Sequence, residues 1–148
     1  MNKSFAKALT RNDLGLTGSH QGGVLIPKGD KELIAFLPKL DPSEDNPSRW
    51  IDCIDTEGKT WKMRYVYYNG KLTGRSTRNE YRITYMTKLF REFSAQEGTS
   101  FVMTSTDEDL TYRIHFEQPQ QAEKLAKGEC DISSPKSVIR LKGWRKVH

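Results

Sequence analysis

A small, mainly β barrel with two or three short helices is the fold class this sequence predicts, on three observations. Apolar segments are short, such as Val24–Ile26 and Leu33–Leu37, and turn signals separate them throughout. Period-two alternation is clear at Trp61, Met63, Tyr65 and Tyr67, with Lys62 and Arg64 between. The 148 residues suit one domain, and 10% aromatic residues are too many for a disordered chain, although only 35% are hydrophobic.

The elements follow in order. Gly22–Pro27 reads as a strand stopped by proline. Asp30–Leu37 places Leu33, Ile34 and Leu37 on one helical face, and Pro38 ends the helix. Asp41–Ser48 is a polar loop. Trp50–Ile54 and Lys59–Tyr68 form a hairpin that turns at Asp55–Gly58. Tyr85–Phe93 is a short helix by the spacing of Met86, Leu89, Phe90 and Phe93. Phe101–Thr104 and Leu110–Phe116 make a second hairpin around Asp107–Asp109. Gln120–Lys127 reads as another short helix and Val138–Trp144 as a last strand. Residues 132–148 read equally as an edge strand or as the start of a linker, within a single domain spanning 1–148.

Several function classes fall away. No apolar run reaches the length that crosses a bilayer. The start, MNKSFAKALTRN, lacks the apolar stretch of a secretory signal, so a cytoplasmic protein is expected. Cys53 and Cys130 cannot build a disulfide framework or a complete zinc site, and both read as buried small hydrophobes. His20, His115 and His148 are isolated. Gly58-Lys59-Thr60 resembles the end of a phosphate loop, but Cys53 stands where its first glycine is needed. Asp41, Glu57 and Lys59 have the outline of a magnesium-dependent nuclease signature, although a polar loop and a turn are poor supports for a metal site.

Charge is segmented. Residues 59–91 carry nine basic residues against one acid, Glu80, and residues 132–148 carry five basic residues and no acid. Residues 32–58 and 92–131 are net acidic, and the whole chain is +5. Concentrated positive charge calls for a polyanion, and nucleic acid is the commonest one.

Two segments look built to approach DNA. Arg11–Gly23 combines glycines, which let backbone come close to a ligand, with Asn12, Asp13, Thr17, Ser19, His20 and Gln21 as donors and acceptors. Gly74–Thr84, if extended, points Arg78, Glu80 and Arg82 one way and Thr77, Asn79, Tyr81 and Ile83 the other. Same-face residues then lie roughly 6.6 Å apart, about two base-pair steps of roughly 3.4 Å. Arginine pairs bidentately with guanine, and a carboxylate accepts from cytosine N4. A carboxylate facing phosphates would repel them, so Glu80 favours base reading. The alternative for this comb is a surface salt-bridge row. Exposed Tyr67, Tyr68 and Tyr81 would instead suit a sequence-blind single-strand binder.

The stretch NDLGLTGSHQGGVLIP (Asn12–Pro27), then YYN (Tyr67–Asn69) and TRNEYRIT (Thr77–Thr84), resembles the N-terminal effector domain of the EcoRII restriction endonuclease and its relatives. The resemblance implies a DNA-binding pseudobarrel of about seven strands, related to the plant B-three domain. Two arms, roughly Lys7–Gly23 and Gly74–Thr84, would grip the major groove. The DNA would be a CCWGG-type site bound as an allosteric effector copy, as in type IIE enzymes. Base contacts would come from Asn12, Asp13, His20, Arg78, Asn79, Glu80 and Arg82. Phosphate contacts would come from Lys7, Arg11, Thr17, Gly18, Gln21, Arg75, Ser76, Thr77, Tyr81 and Lys88. The chain itself would need no cofactor and would not cut. Magnesium would serve a separate catalytic domain in cis. Leu25, Ser76 and Tyr81 depart from the family pattern, which leaves phosphate anchoring either weaker or shifted to Arg75, Lys71 and Lys88.

Overall fold

A computed structural model describes residues 3–16, 22–74, 78–118 and 143–147. Eight strands join in one sheet: β1 (Ser4–Ala8), β2 (Val24–Ile26), β3 (Ser48–Ile54), β4 (Thr60–Tyr68), β5 (Glu80–Thr84), β6 (Ser100–Ser105), β7 (Thr111–Glu117) and β8 (Trp144–Lys146). Their order is β2-β5-β4-β3-β7-β6-β1-β8. Every pairing is antiparallel except β3 with β7. The two edge strands approach each other, and the Trp144 indole of β8 donates to the Leu25 carbonyl of β2 at 2.9 Å. One side-chain bond thus bridges a nearly closed barrel where a full ladder would otherwise be needed.

The alternation read from the sequence sets the β3–β4 hairpin. Met63 and Tyr65 face the core while Lys62 stays exposed and pairs with Asp52 across the ladder at 3.0 Å. The turn is held by Asp55, whose carboxylate accepts from the Glu57 and Lys59 amides and the Trp61 indole. Helix α1 (Lys31–Phe36) starts where Asp30 caps the Leu33 amide at 3.1 Å, and it stops at Leu37, extended before Pro38. Its Phe36 ring contacts Phe5 and Tyr112. Phe5, Leu33, Ile51, Met63, Tyr65, Ile83, Met86, Leu89 and Phe101 make one continuous core.

Four differences from the sequence expectations have physical causes. Ser4–Ala8 is a fully buried strand between β6 and β8, so Lys7 belongs to the barrel and the first arm begins after it. A strand covered on both faces shows no polar alternation to read. Helix α3 (Thr87–Glu92) starts two residues later than expected because Tyr85 has φ +66°. Its exposed ring lies edge-on to Trp50 at 4.9 Å. A four-residue helix, α2 (Gly70–Thr73), follows β4 and closes with Gly74 at φ +78°. Strand β8 begins at Trp144, where the last strand was expected to end. The expected helix at 120–127 and residues 138–142 lie outside the described residues. Among the described residues, no helix is long and apolar enough to cross a membrane.

Cys53 is fully buried, as the sequence reading expected, while Cys130 lies outside the described residues. Burial, and secondarily the charge on Asp52, pushes the Cys53 thiol up to about 12. In a Cys130→Ser background, thiol titration at pH 8 should find no reactive group until denaturant is added. Rapid labelling of the native chain would contradict this burial.

Candidate nucleic-acid interface

The two arms leave the barrel from roots that are tied together. After β1, Thr10–Leu16 coils into turns held by the Leu14 amide on the Thr10 carbonyl and the Leu16 amide on the Arg11 carbonyl. Asp13 is 4% exposed and Lys7 is 5% exposed, and the Lys7 ammonium donates to Asp13 Oδ2 at 2.5 Å. The same oxygen accepts the Thr10 amide at 3.0 Å. Asp13 also fixes the returning chain, since its carbonyl accepts the Gly23 amide at 2.8 Å. These two residues, expected to contact DNA, instead form a buried pair at the root of the arm. Breaking the pair by removing either group would leave the other group buried without its counter-charge.

Gly22 and Gly23 then run against the end of the second arm's strand. A Cβ on Gly23 would sit 2.6 Å from the Ile83 carbonyl oxygen. Gly22 donates its amide to Thr87 Oγ1 at 2.8 Å, and its carbonyl accepts the Met86 amide. Thr87 opens α3 directly behind β5. The glycine pair is therefore a close backbone approach, and Thr87 is a clasp that no sequence pattern announced.

The second arm stands on Asn69, which is 1% exposed. Its amide nitrogen Nδ2 donates to the Pro42 and Glu44 carbonyls, and its Oδ1 accepts the Asn46 amide. The polar 41–47 loop is thereby pinned beside the end of β4. Past α2, the Lys71 amide bonds the Arg78 carbonyl at 2.9 Å. The Arg78 guanidinium lies 4.0 Å from the Tyr68 ring centroid. Arg78 and Arg82 donate to the same oxygen, Glu80 Oε2, at 3.4 and 3.1 Å. The comb is thus assembled on one face, as the alternation requires.

The other face points inward. Tyr81 stacks on Tyr67 at 4.2 Å with rings nearly parallel, and burial together with Tyr67 raises its hydroxyl above the usual range. Asn79 Oδ1 accepts the Tyr67 hydroxyl at 2.6 Å. Tyr81, expected at phosphate, and Asn79, expected at a base edge, are engaged here because odd and even positions of a strand face opposite ways. The same packing removes the tyrosines as open stacking platforms, since Tyr67 is buried and Tyr68 lies under Arg78. Arg11, Asn12 and Lys88 are exposed. Thr17, Gly18, His20, Gln21, Arg75, Ser76 and Thr77 lie outside the described residues.

The nuclease constellation does not assemble. Asp41 lies in the loop pinned by Asn69 and accepts from Ser43. Glu57 and Lys59 stand at the opposite end of β4, roughly 26 Å away by strand rise. Among the described residues, no three His, Cys, Asp or Glu side chains meet as metal ligands.

Comparison with known proteins adds relatives to this geometry. The family model described as "Restriction endonuclease EcoRII, N-terminal" matches residues 2–115. The Escherichia coli type II restriction enzyme EcoRII is 39% identical over 88 residues, covering 54% of this chain and 20% of that protein. Auxin response factor 12 of Arabidopsis thaliana is 39% identical over 64 residues, covering 43% of this chain and 10% of that protein. The chain therefore matches a fifth or less of the length of these relatives. Among solved structures, the Arabidopsis FUS3-DNA complex shares the fold, with TM-score 0.56 and 20% identity. The match covers 76% of this chain and 94% of that one. A hypothetical Arabidopsis thaliana protein gives TM-score 0.51 at 13% identity, over 78% and 90% of the two chains.

Asp13→Ala should cost about 3–5 kcal/mol by removing the counter-charge of the buried Lys7 ammonium. The double replacement Lys7→Met with Asp13→Leu should recover most of that loss in urea unfolding. An Asp13→Ala chain as stable as the parent would show that the pair carries no such weight.

Proposed function

The chain belongs to the EcoRII N-terminal domain family, and from that premise we propose that it is a sequence-specific reader of double-stranded DNA. The Arg78–Glu80–Arg82 comb carries this reading. Two guanidinium nitrogens lying 3.4 and 3.1 Å from one oxygen stand within about 6.5 Å of each other. That separation spans at most two base-pair steps of roughly 3.4 Å, so the arginines reach neighbouring guanines. Glu80 Oε2 orients both, and its Oε1, which accepts no hydrogen bond from the described residues, is left for a cytosine amino group. Adjacent guanines with an opposing cytosine are what a CCWGG-type half-site offers.

The described first arm contributes its exposed Arg11 and Asn12. His20, Thr17, Gly18 and Gln21 in this arm, and Arg75, Ser76 and Thr77 in the second, complete the proposed contact set. Lys7 and Asp13 act one step back, fixing where the first arm emerges. Phosphate contacts hold the register, and base contacts choose the sequence. The role is that of an effector or target-recognition domain for a cleavage domain in cis. Cleavage and its magnesium would fall to that partner.

Competition binding near 0.15 M salt tests the reading, using a CCWGG duplex against a scrambled duplex of equal composition. The intact site should bind at least tenfold more tightly, and equal displacement would overturn base reading. Arg78→Ala should weaken the cognate complex by about 1–3 kcal/mol and random DNA little. Equal losses on both duplexes would make Arg78 a phosphate contact.

A further inference from the structure

We propose that a basic cleft between the β3–β4 turn and α3 holds backbone phosphates of duplex DNA outside the segment read by the arms. The proposal rests on the DNA-binding reading above and extends its footprint. The cleft encloses about 350 Å³ and is lined by Lys59, Trp61, Lys88, Arg91 and Glu92. Lys88 and Arg91 lie three residues apart on α3, so they share a helix face. Both are exposed, and neither has an acidic partner among the described residues. The Lys59 ammonium lies 4.1 Å from the Trp61 ring centroid, and the ring face holds that charge in place without neutralising it.

Lys59 and Arg91 are the first and last basic residues of the segment that carries nine cations against one acid. The fold returns the two ends of that segment to one concavity. Three other cations of the segment are matched, Lys62 with Asp52 and Arg78 and Arg82 with Glu80. Three cations facing one carboxylate raise a local positive potential that a polyanion relieves. The lining offers mostly point charges and one indole, and no array of paired donors and acceptors. That chemistry suits phosphodiesters and is blind to base sequence.

Placement favours a duplex already held by the arms. Arg91 also lines a second groove, with Leu14, Leu16, Gly22 and Thr87, at the root of the first arm. The basic cleft thus lies across α3 from that arm, about one helix diameter of 10 Å away. That is about three base pairs of duplex at roughly 3.4 Å each.

The test is fluorescence anisotropy with the 148-residue chain and labelled duplexes of about 10 and about 24 base pairs sharing one central CCWGG site. The longer duplex should bind several-fold more tightly and with a steeper salt dependence, by roughly two units for two phosphates. The Lys59→Gln, Arg91→Gln double variant should lose that length advantage while its affinity for the short duplex stays within about twofold. Each single variant should lose roughly half of the added slope, which keeps the test decisive if the double variant folds poorly. Equal affinity and slope of the parent chain on both duplexes would overturn the proposal. So would an equal loss by the single variants on short and long DNA. A scrambled short duplex binding as well as the intact one would instead sink base reading, and the length comparison on scrambled DNA would still judge the cleft.

Discussion

The buried contact between the Lys7 ammonium and the Asp13 carboxylate is the constraint on which the first arm depends. It joins the interior of a central strand to the coil that leaves it, in a place with almost no water to compete. Taking two charges out of water is costly, and the geometry must be good to offset that cost. Here the carboxylate also accepts the Thr10 amide, and the backbone carbonyl of Asp13 receives the returning chain at Gly23. Departure and return points of the arm are therefore set by one residue.

The second arm uses a different principle. Its comb is unevenly exposed, with 40% of the Arg78 side chain but 13% of the Arg82 side chain open to solvent, and the outer ion pair contributes little stability on its own. Their value is orientation. Tyr68 beneath Arg78 and the shared oxygen of Glu80 restrict two flexible side chains before any ligand arrives, so less rotamer freedom is lost on binding. Behind the comb, the Tyr67–Tyr81 stack and the Asn79 hydrogen bond make the strand stiff enough to hold a register. The two arms meet at Gly22, Gly23 and Thr87, which fixes their spacing in backbone atoms instead of in long side chains.

Local chemistry made part of this legible in the sequence. The β3–β4 hairpin followed from alternation at Trp61–Tyr67, α1 from an aspartate cap and a proline stop, and the comb from Arg78, Glu80 and Arg82 on one face of a strand. Asp13 and Lys7 are expected at DNA because the family resemblance places contacts at those positions. Burial is a tertiary property that spacing does not carry. β1 stayed hidden because both of its faces are covered, and Tyr85 displaced the start of α3 through a backbone angle that an aromatic residue rarely adopts. Thr87, Asn69 and Trp144 had no local signature, since each acts on a partner far away in sequence.

The seam at Trp144 holds the end of the chain at two places on the sheet. β8 shields one side of β1, and only its indole reaches the far rim of the sheet. If that short strand lifts, a row of amides and carbonyls on β1 stands open and the Leu25 carbonyl of β2 loses its indole partner. The indole thus adds a second attachment, on the opposite rim, to a strand that the three-residue ladder with β1 alone would hold.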